Sequence, residues 1–224
     1  NVLKKIIIKM SFNTLILYAL SNILSGILIG LSSPGFGLNF LGIFALIPLI
    51  FFLDIIFLEK NKNLINKIFI SFTSCWLIGG ISSIIGAYWV TNTAYVFGHL
   101  PFIISLSINF FGYGFEVGLV LWFSIAFPLF FFQSRNQWTI PFKISWFVLI
   151  DTYFPKIIDW NWGGIFFSNF PFLEQTADLF GLSLLSFFVI SLNLLFVGWF
   201  YKFKGIYSFR FQLNFSFVFL IIFI

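Results

Sequence analysis

Residues 68–90 read IFISFTSCWLIGGISSIIGAYWV, 23 residues without a charge, and what surrounds such a run decides the fold. As an α-helix it reaches about 34 Å at about 1.5 Å per residue, longer than the ~30 Å hydrocarbon core of a bilayer. The rest of the chain repeats the pattern. Its 224 residues are 60% hydrophobic and 24% aromatic, include 38 Phe, and have a mean hydropathy of +1.05. A water-soluble fold of this length cannot hide so much apolar surface, so the solvent is lipid.

Working outward, the apolar segments are Phe12–Leu31, Asn39–Leu58, Ile68–Val90, Phe102–Phe132, Trp138–Phe154 and Leu179–Phe200. A seventh begins at Leu213 and stops at Ile224, a length of about 18 Å that falls short of a bilayer core. The expected fold is therefore all-α: one polytopic membrane domain over residues 1–224, with six full spans and a truncated seventh. The first residue is Asn, and the chain reads as cut at one end or both. The fourth segment is too long for one straight span, and Gly112, Gly114, Gly118 and Pro128 predict a tilt or kink in it. A signal peptide is a poor reading of the first segment, whose apolar stretch is too long and lacks a cleavage pattern.

Basic residues set the orientation, because short loops rich in Lys and Arg stay in the cytoplasm. Lys4, Lys5 and Lys9 precede the first segment. Lys60, Lys62 and Lys67, then Arg135 and Lys143, then Lys202, Lys204 and Arg210 follow the second, fourth and sixth, which places eleven of the twelve basic residues on one side. The N-terminus is expected in the cytoplasm and the 155–178 stretch outside, with only Lys156 in the opposite loops. The net charge of +5 is spread over short clusters and forms no continuous face for nucleic acid.

Chemical candidates are few. The single cysteine, Cys75, excludes an intramolecular disulfide and multi-Cys metal sites, and it reads as a packed helical residue rather than a nucleophile. The lone His99, on an outer loop beside Pro101, has no acidic neighbour in sequence. No phosphate loop, serine elbow, metal spacing or cofactor motif appears. Ionisable residues inside apolar spans are costly and face a bundle interior or a wet cavity, which singles out Glu116, midway along the fourth segment, and Asp151, near the outer end of the fifth. Asp54 reads as a residue that snorkels toward Lys60. Glu174 and Asp178 precede the sixth segment, where acids favour a helix start through its dipole. The Gly26/Gly30 and Gly114/Gly118 pairs have the spacing of close helix contacts.

Aromatic residues gather at the outer boundary. Tyr88 and Trp89 end the third segment, and Trp160, Trp162, Phe166, Phe167 and Phe170 sit in the outer stretch. IIDWNWGGIFFSNFPF is too polar to span and too aromatic to be a solvated loop, so it is expected in the interface or folded over the bundle, as an entry for lipid from the outer leaflet.

Four stretches carry a resemblance to a known family: LSSPGFGLNFLGIFALIPLI with Pro34 and Pro48, GAYWVTNTAYVFGHLP with Tyr88, Trp89, Gly98 and Pro101, DWNWGGIFFSN, and PFLEQTADLFGLSLLSFFVISLN with Gln175, Gly181 and Ser186. In this order, over residues 31–193, they resemble the N-terminal membrane portion of bacterial apolipoprotein N-acyltransferase. The third departs from the family pattern, with Asp159 where Pro precedes the Trp, and Lys156 is the nearest counterpart of an upstream basic residue. The resemblance implies a multi-pass protein of the bacterial inner membrane. It implies an enzyme that moves an acyl group from a phospholipid donor to the N-terminal amine of a diacylglyceryl-modified apolipoprotein, through a cysteine thioester. The thiol would belong to a nitrilase-like domain placed after the seventh helix and not represented in this chain, so the chain alone would be inactive and Cys75 is not that nucleophile. Tyr88, Trp89, His99, Pro101, Glu116, Trp160, Trp162 and Gln175 are the candidate residues of a substrate or lipid cavity. A transporter using Glu116 and Asp151 and a purely structural membrane protein are the competing readings.

Overall fold

A computed structural model describes residues 12–58, 62–131, 139–158, 160–167, 175, 177–178 and 181–203. All regular structure among them is helical. The first helix, α1, is Phe12–Leu31. Two short 3₁₀ turns, Pro34–Phe36 and Asn39–Leu41, lead into α2 (Gly42–Ala45) and α3 (Ile47–Leu58). The helix α4 covers Leu64–Gly86 and is followed by α5 (Tyr88–Val96). A continuous run then contains α6 (Phe102–Ile108), α7 (Gly114–Leu121) and α8 (Pro128–Phe131), and beyond it lie α9 (Thr139–Tyr153), α10 (Trp162–Phe167) and α11 (Leu182–Phe203).

Five described helical stretches are long and apolar enough to cross a membrane: Thr14–Leu31, Asn39–Leu58, Leu64–Gly86, Phe102–Phe131 and Leu182–Tyr201. The described part of the expected fifth segment forms α9, 15 residues or about 22 Å long, and Trp138 lies outside the described residues. The seventh segment lies outside the described residues. The third ends earlier than Val90, because the backbone turns at Ala87 and Tyr88 opens a separate helix.

The polarity is inside out. Ser21, Asn22, Ser25, Ser71, Ser74, Asn109 and Asn193 are buried, whereas Leu20, Ile65, Phe97, Ile103 and Phe131 are exposed. Between helices in lipid there is no hydrophobic drive to associate, so close backbone packing and buried hydrogen bonds hold the bundle together. Both features centre on α4, which packs against α1 on one side and α7 on the other. A Cβ at Gly79 would lie 2.2 Å from the Gly114 carbonyl oxygen and 2.5 Å from the Gly118 nitrogen, so the two helices meet backbone to backbone. On the other side, Gly26 and Gly30 of α1 receive Ile81 and Ile85.

Irregular backbone is satisfied by side chains. Pro48 cannot donate, and the helix breaks at Leu46 just before it. The Leu46 N–H donates to Asn193 Oδ1 at 3.0 Å, the Leu49 N–H to Ser25 Oγ at 3.1 Å, and Asn193 Nδ2 to the Gly42 carbonyl at 3.1 Å. The long Phe102–Phe131 run carries π-turns at Asn109–Tyr113 and Trp122–Ala126 instead of one sharp kink. Upstream of Pro128, the Phe127 N–H reaches back five residues to Trp122 O at 2.8 Å. The Phe123 carbonyl so released accepts Trp146 Nε1 at 2.8 Å, which ties α9 to this run.

Gly79→Ala is expected to lower stability by about 1–3 kcal/mol through overpacking, read as a drop in thermal midpoint in detergent. Gly112→Ala, whose Cβ would meet nothing within 4 Å, is expected to leave that midpoint nearly unchanged.

Candidate functional site

The residues between α9 and α10 turn back over the bundle, and a buried carboxylate fixes them there. Asp151 lies in the last turn of α9 with 1% of its surface exposed. It accepts the Trp162 N–H (3.1 Å to Oδ2, 3.3 Å to Oδ1) and the Ser186 hydroxyl (2.5 Å). The acid therefore sits at the start of α10, where unpaired amides favour an anion. Lys156 completes the set: its Nζ lies 3.2 Å from Asp151 Oδ1 and donates to the Asp151 carbonyl at 2.5 Å and to the Trp160 carbonyl. A buried ion pair is tolerable only when hydrogen bonds satisfy its other sites, as here. A Cβ at Gly163 would come 2.4 Å from Leu185 Cβ, so glycine lets α10 settle onto α11. The Gly163 N–H donates to Ser186 Oγ at 3.1 Å.

Two further contacts pin this segment to other helices. Trp160 Nε1 donates to Glu116 Oε1 of α7 at 3.2 Å, and Asn39 Nδ2 donates to the Ile165 carbonyl at 2.9 Å and to Ser32 O at 3.0 Å. Trp160 meets Trp162 edge-on at 5.0 Å between ring centroids, and the Lys156 ammonium lies 4.5 Å from the Trp160 ring centroid.

Beneath the segment is a cavity of about 220 Å³. Ile158, Trp160, Trp162 and Ile165 form one wall. Tyr113 and Val117 form another, and Ile29, Pro34, the end of α4 and Trp89 complete the lining. Its serine hydroxyls are turned onto backbone carbonyls: Ser33 Oγ donates to Ile29 O at 3.5 Å, Ser82 Oγ to Gly79 O at 3.0 Å, and Ser83 Oγ to Gly80 O at 2.9 Å and Asn109 O at 3.3 Å. The surface left for a ligand is apolar and aromatic.

Of the residues singled out from sequence, Trp89, Trp160 and Trp162 line this cavity, and Glu116 stands behind Trp160. Tyr88 is exposed and outside the lining. His99, with a φ of 51°, and Pro101 lie on the exposed turn between α5 and α6, and Gln175 is exposed. Glu174 lies outside the described residues, and Asp178 is exposed. Asp54 accepts the Tyr201 hydroxyl at 3.2 Å, while Lys60 lies outside the described residues. Cys75 is fully buried in the core. Both acids of the transporter reading are engaged with the Lys156–Trp162 stretch. Sequence reasoning passed over Asn39, Asn109 and Asn193. Asn109 Nδ2 donates to Ala87 O and Thr91 Oγ1, each at 3.0 Å, and so holds the turn between α4 and α5 that carries Trp89. The usable signal was there, because an amide inside an apolar run marks an interhelical hydrogen bond.

Residues 25–195 match the family described as the apolipoprotein N-acyltransferase N-terminal domain. No curated protein and no solved structure matches the chain.

Asp151→Ala strands the buried Lys156 and is expected to cost about 3–5 kcal/mol. Hydrogen exchange should accelerate at the Trp162 and Gly163 amides before it does in α4, and Asp151→Ala with Lys156→Ala should recover part of the protection.

Proposed function

The chain belongs to the apolipoprotein N-acyltransferase N-terminal domain family, and on that premise we propose that it anchors and feeds lipid to an acyl-transfer reaction of the bacterial inner membrane. The reaction breaks an ester bond of a phospholipid, releases the lysophospholipid and forms an amide at the N-terminus of a diacylglyceryl-modified apolipoprotein. The N-terminus lies in the cytoplasm, as the lysine pattern requires, and the Trp160 end of the bundle faces the outer leaflet. The whole 1–224 stretch acts as one membrane domain.

The observation that carries this reading is the apolar cavity of about 220 Å³ under the Lys156–Ile165 segment, walled by Trp89, Tyr113, Trp160 and Trp162. A cavity of about 150 Å³ lined by apolar side chains takes up benzene, so this one has room for a stretch of hydrocarbon chain. Indole rings suit the level at which an acyl chain meets its headgroup, with an apolar body and a polar N–H. Residues of this chain bind and orient lipid, while the nucleophile and its base belong to the nitrilase-like domain. Among the described residues the one thiol, Cys75, is sealed between helices, and no hydrogen bond joins it to an acid or a base. Tyr88, His99, Pro101 and Gln175 are exposed, and we assign them to contacts with that domain or the lipoprotein rather than with the acyl chain.

Two measurements test the proposal. Phosphatidylethanolamine carrying a photoactivatable acyl chain, in vesicles with the purified protein, is expected to label Trp89, Val117 and Ile158; labelling confined to outward positions such as Ile103 and Phe131 would remove the lipid role. The 224-residue chain mixed with labelled phospholipid and a diacylglyceryl peptide is expected to form no amide, and measurable transfer would place a catalytic group within it.

A further inference from the structure

Trp160 is the one tryptophan of the cavity wall whose indole nitrogen is held by a charged group. Its neighbour Trp162 is fixed through the backbone, by its own N–H on Asp151, whereas Trp160 is held by Glu116 at Nε1 and by Lys156 at the ring face and carbonyl. Glu116 is buried at 6% exposure, and its Oε2 has no hydrogen-bond partner among the described residues. Stability alone argues against such a residue, because an orphaned carboxylate oxygen in a membrane interior is unfavourable and Gln or Leu would fill the place more cheaply. What an acid supplies that they do not is a charge-assisted acceptor for an indole N–H.

That bond has a geometric consequence. The cavity of about 220 Å³ lies directly beside the Trp160 ring, and a space of about 150 Å³ already admits a six-membered ring. An indole released from Glu116 has a void next to it that its own rotation can fill, at a gain in apolar contact. We infer that Glu116 is a positioning residue: by holding Nε1 of Trp160 it keeps the indole in the wall and the cavity open for a hydrocarbon chain. Lys156 assists from over the face of the ring. The use of the open space by lipid rests on the reading proposed above, while the tie between Glu116 and Trp160 stands apart from it.

The test separates the two. Ultraviolet resonance Raman difference spectra, wild type minus Trp160→Phe, report whether the Trp160 indole is hydrogen-bonded. The bond is expected in wild type and in Glu116→Gln, whose amide oxygen still accepts, and is lost in Glu116→Leu. Cavity labelling by the photoactivatable phosphatidylethanolamine should fall only partly in Glu116→Gln, whose neutral amide oxygen holds the indole less firmly. In Glu116→Leu it should fall on the order of tenfold, the weight of one hydrogen bond to a charged group. Because Glu116 acts through Trp160, adding Trp160→Ala to Glu116→Leu removes the ring that blocks the space and should restore labelling. If Glu116→Leu does not fold, Trp160→Phe, which keeps an aromatic ring but has no N–H for Glu116, is expected to show the same loss, and Trp160→Ala the recovery. Labelling in Glu116→Leu equal to wild type, or no recovery on removing the indole, overturns the inference. If wild type itself takes no label, the lipid reading fails, and the Raman arm alone then upholds or overturns the Glu116–Trp160 tie.

Discussion

The backbone contact of α4 with α7 is the constraint from which the remaining arrangement follows. With Gly79 seated against Gly114 and Gly118, the two helices approach more closely than any side chain would allow. That approach sets where the end of α4 lies relative to Glu116, and so where Trp89, Tyr113 and Val117 face one another. In lipid such contacts replace the hydrophobic effect as the source of association, since acyl chains solvate Leu and Phe as well as a protein core does. The 38 Phe of this chain therefore do little to specify the bundle, and its small and amide residues do most.

A second layer of specification is electrostatic. Asp151, Lys156, Trp160 and Glu116 form a connected series from the end of α9 to the first turn of α7. Each charge is expensive at this depth when isolated, and the series is arranged so that Asp151 meets an ammonium, an amide and a hydroxyl together. The result is a segment with only six helical residues, α10, that is nevertheless anchored to α9 and α11 through Asp151 and Ser186, to the Asn39–Leu41 turn through Asn39, and, through the adjacent Trp160, to α7. Such a segment has little stability of its own, since six residues cannot nucleate a lasting helix in isolation. Its order comes from the buried acid.

The bilayer-spanning character was legible because hydropathy integrates over twenty residues and is indifferent to detail. The first helix ends at Leu31, where the apolar run does, and α4 overlaps the uncharged stretch 68–90 but starts at Leu64 and stops at Gly86. The turn at Ala87 was not legible: it rests on Asn109, 22 residues further along, and hydropathy does not register a contact of that kind. The same holds for the break at Leu46. Pro48 announces a disturbance, yet which groups absorb it depends on Asn193 of a remote helix. At the site, Glu116 stood out because charge within an apolar run is rare, and Trp89, Trp160 and Trp162 because tryptophan gathers at the boundary of a span. Tyr88 stood out as an aromatic at the boundary, His99 as the lone histidine, and Pro101 and Gln175 through resemblance, signals that mark positions without saying which of them share a cavity.

The two π-turns in the Phe102–Phe131 run give that stretch a property unlike the other spans. Each accommodates one residue more than an α-turn, so the run is keyed in phase as well as in length. Deleting a single residue between Asn109 and Tyr113 would close that π-turn to an α-turn and leave the helix downstream near its present phase, whereas the same deletion within α7 would swing everything after it by about 100° around the helix axis. A deletion between Gly114 and Gly118 would turn Gly118 away from Gly79. In this span a one-residue gap is absorbed most easily at a π-turn and least easily in α7, where the backbones of two helices touch.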